Sequence, residues 1–141
     1  FSFVRHPIAW YESYFRYRTM YRWCTIEKNS PANPGPWVLD DCQHGLFKTF
    51  IDKCLSLHPG ALSTLTELFI GTADAPLVQY VGKNETFQAD LDAISALIGN
   101  LPLKFSRSAT NASDPRIATE WGRNQQAAIL AAESRIIGRW Y

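Results

Sequence analysis

Apolar residues along the first half of the chain recur at the intervals of helices, after one short strand. The opening run Phe1 to Val4 is apolar and short, as in a buried strand of a parallel sheet. Residues 8 to about 24 and the segment from Leu46 to Leu55 have apolar residues every three or four positions, which predicts two helices. The second is expected to stop near Pro59 and Gly60, and a short third helix to run from Ala61 to Phe69.

The second half of the chain predicts one more strand and two more helices. Pro76 to Val81 has the pattern of a strand, and Glu85 to Ile98 that of an amphipathic helix. The last helix is predicted from Asn124 to Trp140, and residues 25 to 43 and 99 to 122 are predicted to be mostly irregular. The inward face of the amphipathic helix is expected to carry Phe87, Leu91, Ile94, Leu97 and Ile98. Strands separated by helices predict an α/β fold with a parallel sheet, and 141 residues predict a single domain, 1–141.

The junction between the first strand and the first helix has the features of an anion site. Arg5 ends the strand, Pro7 suits the first turn of a helix, and Ser13 follows eight residues after the arginine. A guanidinium can bind two phosphate oxygens at once, and the N–H groups at a helix start favour anions. Because helical side chains lean toward the N-terminus, the Ser13 hydroxyl can reach the same end. We therefore predict that Arg5 and Ser13 bind a phosphate group.

At these residues the chain resembles the sulfotransferases that use 3'-phosphoadenosine 5'-phosphosulfate (PAPS). Their second cofactor motif is an apolar strand, Arg-x-Pro, and a serine eight positions after the arginine. The segment from Tyr80 to Leu91 is similar to the V-G-(R/K)-x-E-x-(L/F)-x-x-D-L element of carbohydrate-type members, and Glu133 to Tyr141 is similar to their terminal helix. The order and spacing of these segments agree with the family along the whole chain.

The resemblance implies a fold, a cofactor and a reaction. The fold would be a helix-rich P-loop-type three-layer domain, and Arg5 and Ser13 would bind the 3'-phosphate of PAPS or of its product, 3'-phosphoadenosine 5'-phosphate (PAP). The reaction would transfer a sulfuryl group to a hydroxyl or amine of an acceptor, either a glycan or a small molecule. No Gly-rich loop with Lys-Ser/Thr occurs in the sequence. We therefore expect a partial domain, N-terminally truncated before the phosphosulfate-binding loop, that is inactive by itself and whose catalytic residues are not identified.

Other candidate residues are given structural roles or remain open. His6 is not favoured as a general base, because the residue type at that position varies in the family. Glu85 is expected at a helix start, and Glu133, inside an apolar stripe, is expected to form a buried pair with an arginine. The resemblance also implies basic ligands for the 3'-phosphate in the irregular segment, where the candidates are Lys104, Arg107 and Arg116. His44 and His58 are expected to be solvated without partners.

Composition narrows the class of protein further. Fourteen Lys and Arg against thirteen Asp and Glu give a net charge of +1, which argues against a nucleic-acid-binding surface. No apolar stretch approaches the roughly 20 residues of a membrane span, so no membrane segment is predicted.

The cysteines bear on metal binding and on the compartment. Three cysteines without CxxC spacing predict no metal site and reduced, unbridged thiols; a Cys24–Cys42 disulfide is the alternative. Reduced thiols favour a cytoplasmic protein, with the Golgi lumen as the alternative.

Two other functions remain open from the sequence. A P-loop nucleotide-dependent phosphotransferase could use the same geometry of strand, arginine and helix. A noncatalytic glycan-binding remnant of the family is the other alternative.

Overall fold

The computed structural model describes residues 1–20, 39–100 and 114–141, which contain two strands and six α-helices. In chain order the elements are β1 (Ser2–Val4), α1 (Pro7–Met20), α2 (Phe47–Leu57), α3 (Ala61–Ile70), β2 (Val81–Lys83), α4 (Phe87–Leu97), α5 (Gln125–Ala132) and α6 (Ser134–Trp140), with short 3-10 helices at Asp40–Cys42 and Asn84–Thr86. The described part is therefore helix-rich with a small sheet, in the general α/β class. The predictions for Cys24, Lys104, Arg107 and most of the 25–43 loop lie outside the described residues.

The two strands pair in parallel, as the sequence predicts. Ser2 pairs with Val81, Phe3 with Gly82 and Val4 with Lys83. A Cβ atom on Gly82 would lie 2.6 Å from a ring carbon of Phe3 and 2.9 Å from the Cβ of Asp90, so this position needs glycine to let the strand and helix α4 approach.

The predicted position of the second strand was wrong. The strand is Val81–Lys83 rather than Pro76–Val81, because Pro76 instead forms an isolated antiparallel bridge with Gly71. The Asp90 carboxylate accepts a hydrogen bond from the backbone N–H of Lys83 at 2.8 Å, which joins the end of β2 to α4. A short apolar run does not reveal which of its residues will find a partner strand.

The first three helices confirm the predicted ones within the described residues, and residues 21–24 of the first prediction lie outside them. Helix α1 begins at Pro7, where a missing N–H costs nothing, and buries Tyr11 and Phe15 completely. Helix α2 ends at Leu57, just before Pro59 and Gly60, and α3 follows within four residues.

The two C-terminal predictions need correction. Helix α4 begins at Phe87 after a 3-10 turn, and only Leu91 and Ile94 of its expected inward face are buried, whereas Phe87, Leu97 and Ile98 are exposed. The predicted helix from Asn124 to Trp140 is two helices, α5 and α6, which meet at Glu133. The break turns the fully buried Glu133 carboxylate toward α3.

The core lies where α1, α2, α3 and the two C-terminal helices meet. Its largest fully buried side chains include Tyr11, Phe15, Phe50, Ile51 and Ile129. The rings of Phe15 and Phe50 pack with their centroids 5.4 Å apart, which ties α1 to α2. None of the helices formed by the described residues has both the length and the apolarity needed to cross a membrane.

Candidate functional site

A cleft of about 420 Å³ opens where the end of β1 faces α1 and α3. It is called the Arg5 cleft below. Its lining combines polar groups from the strand end and α1 with apolar groups from α3: Ser2, Phe3, Val4, Arg5, Trp10, Ser13, Tyr14, Tyr17, Leu62, Leu65, Thr66, Phe69, Ile70 and Asn84. A cleft of this volume, lined by both polar and apolar groups, is large enough to hold a small molecule.

The structure brings the two predicted phosphate ligands together in this cleft. Arg5 follows β1 directly, and Ser13 lies on α1 one and a half turns after its start. Both are half-buried and both line the cleft. Within the described residues neither side chain has a hydrogen-bond or ion-pair partner, so a guanidinium and a hydroxyl face the same space ready to bind an anion.

One wall of the Arg5 cleft is aromatic. The rings of Trp10 and Tyr14, one turn apart on α1, stack with centroids 5.0 Å apart and an interplanar angle of 26°. Desolvation raises the pKa of Tyr14, so its phenol stays neutral at physiological pH. Phe69 of α3 lines the cleft with 68% of its surface exposed, which leaves a ring face open to a ligand.

The N-terminal end of α1 differs from the expectation. The backbone N–H of His6 does not point to a vacant anion position, because it donates to the Glu85 carboxylate at 2.8 Å. The same carboxylate accepts a hydrogen bond from the Tyr141 hydroxyl at 2.8 Å. Desolvation raises the pKa of Glu85, but these two hydrogen bonds outweigh it and the pKa lies below its ordinary value.

The arrangement around Glu85 gives both of its neighbours structural positions. The His6 ring packs edge-on against Tyr141 at 5.1 Å and does not line the Arg5 cleft. Glu85 lies in the first turn of the 3-10 helix Asn84–Thr86, as expected, and its carboxylate also binds the backbone N–H just before α1. An anion in the cleft would therefore rely on the Arg5 and Ser13 side chains more than on the backbone of the helix start.

Sequence reasoning missed one residue of the cleft, Asn84, and proposed one, Arg116, that lies elsewhere. Asn84 lines the cleft directly after β2, and its place after a predicted strand end was the signal that could have found it. Arg116 does not line the cleft; its guanidinium forms an ion pair with Asp114 at 2.8 Å and its side chain is 89% exposed.

A second group of polar side chains lies buried in the core. The Glu133 carboxylate accepts hydrogen bonds from the Tyr11 hydroxyl, the Leu62 N–H, and both the N–H and hydroxyl of Ser63, at 2.7 to 3.0 Å. These four residues are called the Glu133 cluster below. Among the described residues no arginine pairs with Glu133, contrary to the prediction. Glu133 instead caps the N-terminus of α3, where free N–H groups and the helix dipole take the place of a cation.

A third group of polar side chains lies at the C-terminal end of α2. Within the described residues, ligand atoms of Asp41, Cys42 and His58 all lie within 4.8 Å of one another. His58 Nε2 lies 2.7 and 2.8 Å from the two Asp41 carboxylate oxygens, so the expectation of a partnerless histidine was wrong. Cys42 and Cys54 are free, buried thiols, in agreement with the prediction, whereas Cys24 lies outside the described residues.

Comparison with known proteins does not assign the chain to a family. No protein-family model, no curated protein and no solved structure matches it. Any functional assignment therefore rests on the residues and geometry of these three groups.

Proposed function

We propose that the chain provides the 3'-phosphate side of a PAPS site in a sulfotransferase domain of the P-loop-type three-layer class. The observation that carries the proposal is the meeting of Arg5 and Ser13 in one cleft without internal partners among the described residues. These are the two residues that the resemblance assigns to the 3'-phosphate, and they come from different elements of the fold. An arginine held only for stability would be expected to pair with a carboxylate instead.

The cleft suits the rest of such a ligand. A guanidinium and a hydroxyl supply charge-assisted hydrogen bonds to phosphate oxygens, and Asn84 adds an amide that can donate or accept. The exposed Phe69 ring, and Trp10 elsewhere in the lining, offer apolar surface for a planar base or for the C–H face of a sugar acceptor. This combination supports a nucleotide cosubstrate and a glycan acceptor.

In the proposed reaction the sulfuryl group moves in line from the 5'-phosphate of the nucleotide to an acceptor oxygen or nitrogen. The acceptor loses a proton to a base and PAP is released. Arg5 and Ser13 would hold the 3'-phosphate and thereby orient the nucleotide, so their contribution is positional and electrostatic.

Nucleotide binding by the chain tests the proposal. We expect calorimetry to detect PAP binding, and we expect Arg5→Ala to weaken it by about 2 kcal/mol, or roughly 30-fold, the scale of a charge-assisted contact. Binding of adenosine 5'-phosphate, which lacks the 3'-phosphate, should change little. The control is Arg116→Ala, which removes one positive charge from an exposed position outside the cleft.

Three results would contradict the proposal. Equal losses for both nucleotides would assign Arg5 to the fold. Equal losses from Arg5→Ala and Arg116→Ala would indicate attraction by net charge alone. Tighter binding of ATP with Mg²⁺ than of PAP would favour a phosphotransferase.

A further inference from the structure

We propose that Asp41, Cys42 and His58 form a binding site for a divalent cation of the Zn²⁺ class. These three residues, called the Asp41 cluster, offer a carboxylate oxygen, a thiol sulfur and an imidazole nitrogen within 4.8 Å of one another. The site is separate from the Arg5 cleft and shares no residue with it.

The donor set selects the metal. Mg²⁺ and Ca²⁺ prefer oxygen ligands alone, whereas a sulfur and an imidazole nitrogen together favour Zn²⁺ and its spectroscopic substitute Co²⁺. Three protein ligands leave a fourth tetrahedral position for water. The Asp41 and His58 side chains are 57% and 34% exposed, so a metal ion can reach them from solvent, and Cys42 forms the buried side of the cluster.

The distances between the donors are close to those around a bound ion. Bonds of about 2.0 to 2.3 Å in a tetrahedron place neighbouring ligand atoms roughly 3.3 to 3.7 Å apart. Cys42 Sγ already lies 3.7 Å from an Asp41 carboxylate oxygen. Asp41 and His58 are 2.7 Å apart, so the carboxylate must move away by about 0.6 Å, which an exposed aspartate can do by rotating.

The backbone on both sides of the cluster is held in place. Asp40, beside Asp41 in the 3-10 helix, pairs with the buried Arg18 of α1. His58 directly follows α2, and its backbone N–H donates to the Cys54 carbonyl at 2.9 Å. The Cys54 side chain also hydrogen-bonds with the Cys42 sulfur from the core side. Ligands supported in this way by their surroundings need little reorganisation to bind a metal.

Binding requires the loss of one proton. Burial raises the pKa of the Cys42 thiol, so the free protein holds it protonated. A divalent ion would form the bond to sulfur as the thiol proton leaves to solvent, while His58 binds through its neutral Nε2. Lys53 is the nearby cation that opposes binding, but its Nζ is directed away to the Gln43 carbonyl at 3.1 Å.

Cobalt titration of the chelator-treated chain tests the proposal. We expect Co²⁺ to produce tetrahedral visible bands and a near-ultraviolet thiolate-to-cobalt band, and Zn²⁺ to remove both. Cys42→Ser should abolish the thiolate band, and His58→Gln should weaken Co²⁺ binding at least tenfold. The control is His44→Gln, which removes a described histidine that is not part of the cluster and should leave both signals unchanged.

A second measurement covers the case in which Cys42→Ser fails to fold. Zn²⁺ should raise the Tm of the wild-type chain and of His44→Gln by mass action, and should not raise that of His58→Gln, a substitution on the surface. The proposal is overturned if the wild type gives no thiolate band or if the band survives Cys42→Ser. Equal Tm shifts in wild type and His58→Gln would also overturn it.

Discussion

The Arg5 cleft and the Glu133 cluster both place a charged side chain against a helix. They differ in the burial of that side chain and in its hydrogen-bond partners among the described residues. The Glu133 carboxylate is fully buried and accepts four hydrogen bonds from α1 and α3. The Arg5 guanidinium is half-buried and, within the described residues, has no hydrogen-bond partner.

The difference separates a charge that serves the fold from one suited to a ligand. A buried charged group stabilises the protein only when all of its hydrogen bonds are made to other groups of the protein. Removing such a group then strongly lowers the free energy of unfolding. A charged group without hydrogen-bond partners in the protein contributes little to stability. Its hydrogen-bonding groups can still bind a ligand. Substitutions should therefore affect stability in one region and binding in the other.

The largest expected effect is on the Glu133 cluster. Glu133→Ala leaves the Tyr11 hydroxyl and the Ser63 N–H buried without partners, so we expect a loss of about 3 kcal/mol or more in the free energy of unfolding. Urea denaturation followed by circular dichroism measures it. The control is Glu67→Ala, which breaks the exposed ion pair with Arg135 and should cost less than about 1 kcal/mol. Similar costs for both would show that burial does not distinguish these carboxylates.

A smaller effect is expected in the strand that supports the cleft. Gly82→Ala places a methyl group 2.6 Å from the Phe3 ring, which must move, so we expect a loss of about 1 to 3 kcal/mol. Gly138→Ala is a matched control on α6, where a Cβ meets nothing within 4 Å and should be neutral or stabilising. Because Phe3 and Arg5 share one strand end, PAP binding should also weaken in Gly82→Ala. A stable variant with unchanged binding would show that β1 does not position Arg5.

Asp90 tests how much of the expected stability difference between the Glu133 cluster and the Arg5 cleft comes from burial and how much from hydrogen bonds. Like Glu133 it accepts several hydrogen bonds, from Tyr80, Lys83 and Thr86, but solvent reaches it. We expect Asp90→Asn to cost about 1 kcal/mol at pH 7, because solvent screens the lost interactions.

The pH dependence of that variant has a definite sign. Hydrogen bonds from Thr86 and Lys83 hold the pKa of Asp90 below its ordinary value of 3.8. Its carboxylate therefore stabilises the fold fully above pH 3.8, and this contribution is lost as pH falls through the lower, folded value. Thermal unfolding at several pH values should show the wild type and Asp90→Asn converging under acid. A constant difference down to the lowest pH would contradict the assignment.

The smallest expected effect is on the stability of cleft variants. Arg5→Ala and Ser13→Ala remove groups without internal partners among the described residues, so the free energy of unfolding should change by no more than about 0.5 kcal/mol. Urea denaturation under the conditions used for Glu133→Ala makes the comparison direct. A loss above about 2 kcal/mol for Arg5→Ala would place it with Glu133 as a residue that serves the fold.

Local patterns were enough to predict the strand and the helices that begin the chain. Phe1 to Val4, Pro7 and the spacing of Tyr11 and Phe15 carry their signals within a few residues. The same patterns predicted that Arg5 and Ser13 lie close together, because the end of a strand and the first turns of the helix that follows it are neighbours in space.

Contacts between distant segments could not be predicted in this way. The Glu85 carboxylate accepts from the backbone N–H of His6, just before α1, and the Glu133 carboxylate accepts from two backbone N–H groups of α3. Both partners are far away in the chain, and the residues near each glutamate do not indicate them. The break at Glu133 follows from such a contact, since a continuous apolar stripe predicts one helix. Asp41, Cys42 and His58 likewise meet only because the chain folds back over α2.

The parallel pairing of β1 with β2 has a consequence for how fast the protein folds. Ser2 must find Val81, and the Tyr11 hydroxyl must find a carboxylate 122 residues away. Closing such long loops costs entropy before any contact offsets it, so folding should be slower than the helix content suggests. Helices α2 and α3, which are close in sequence, can form early, whereas both walls of the Arg5 cleft come together only near the end. A partly folded chain would thus contain much of its helix but would lack the Arg5 cleft.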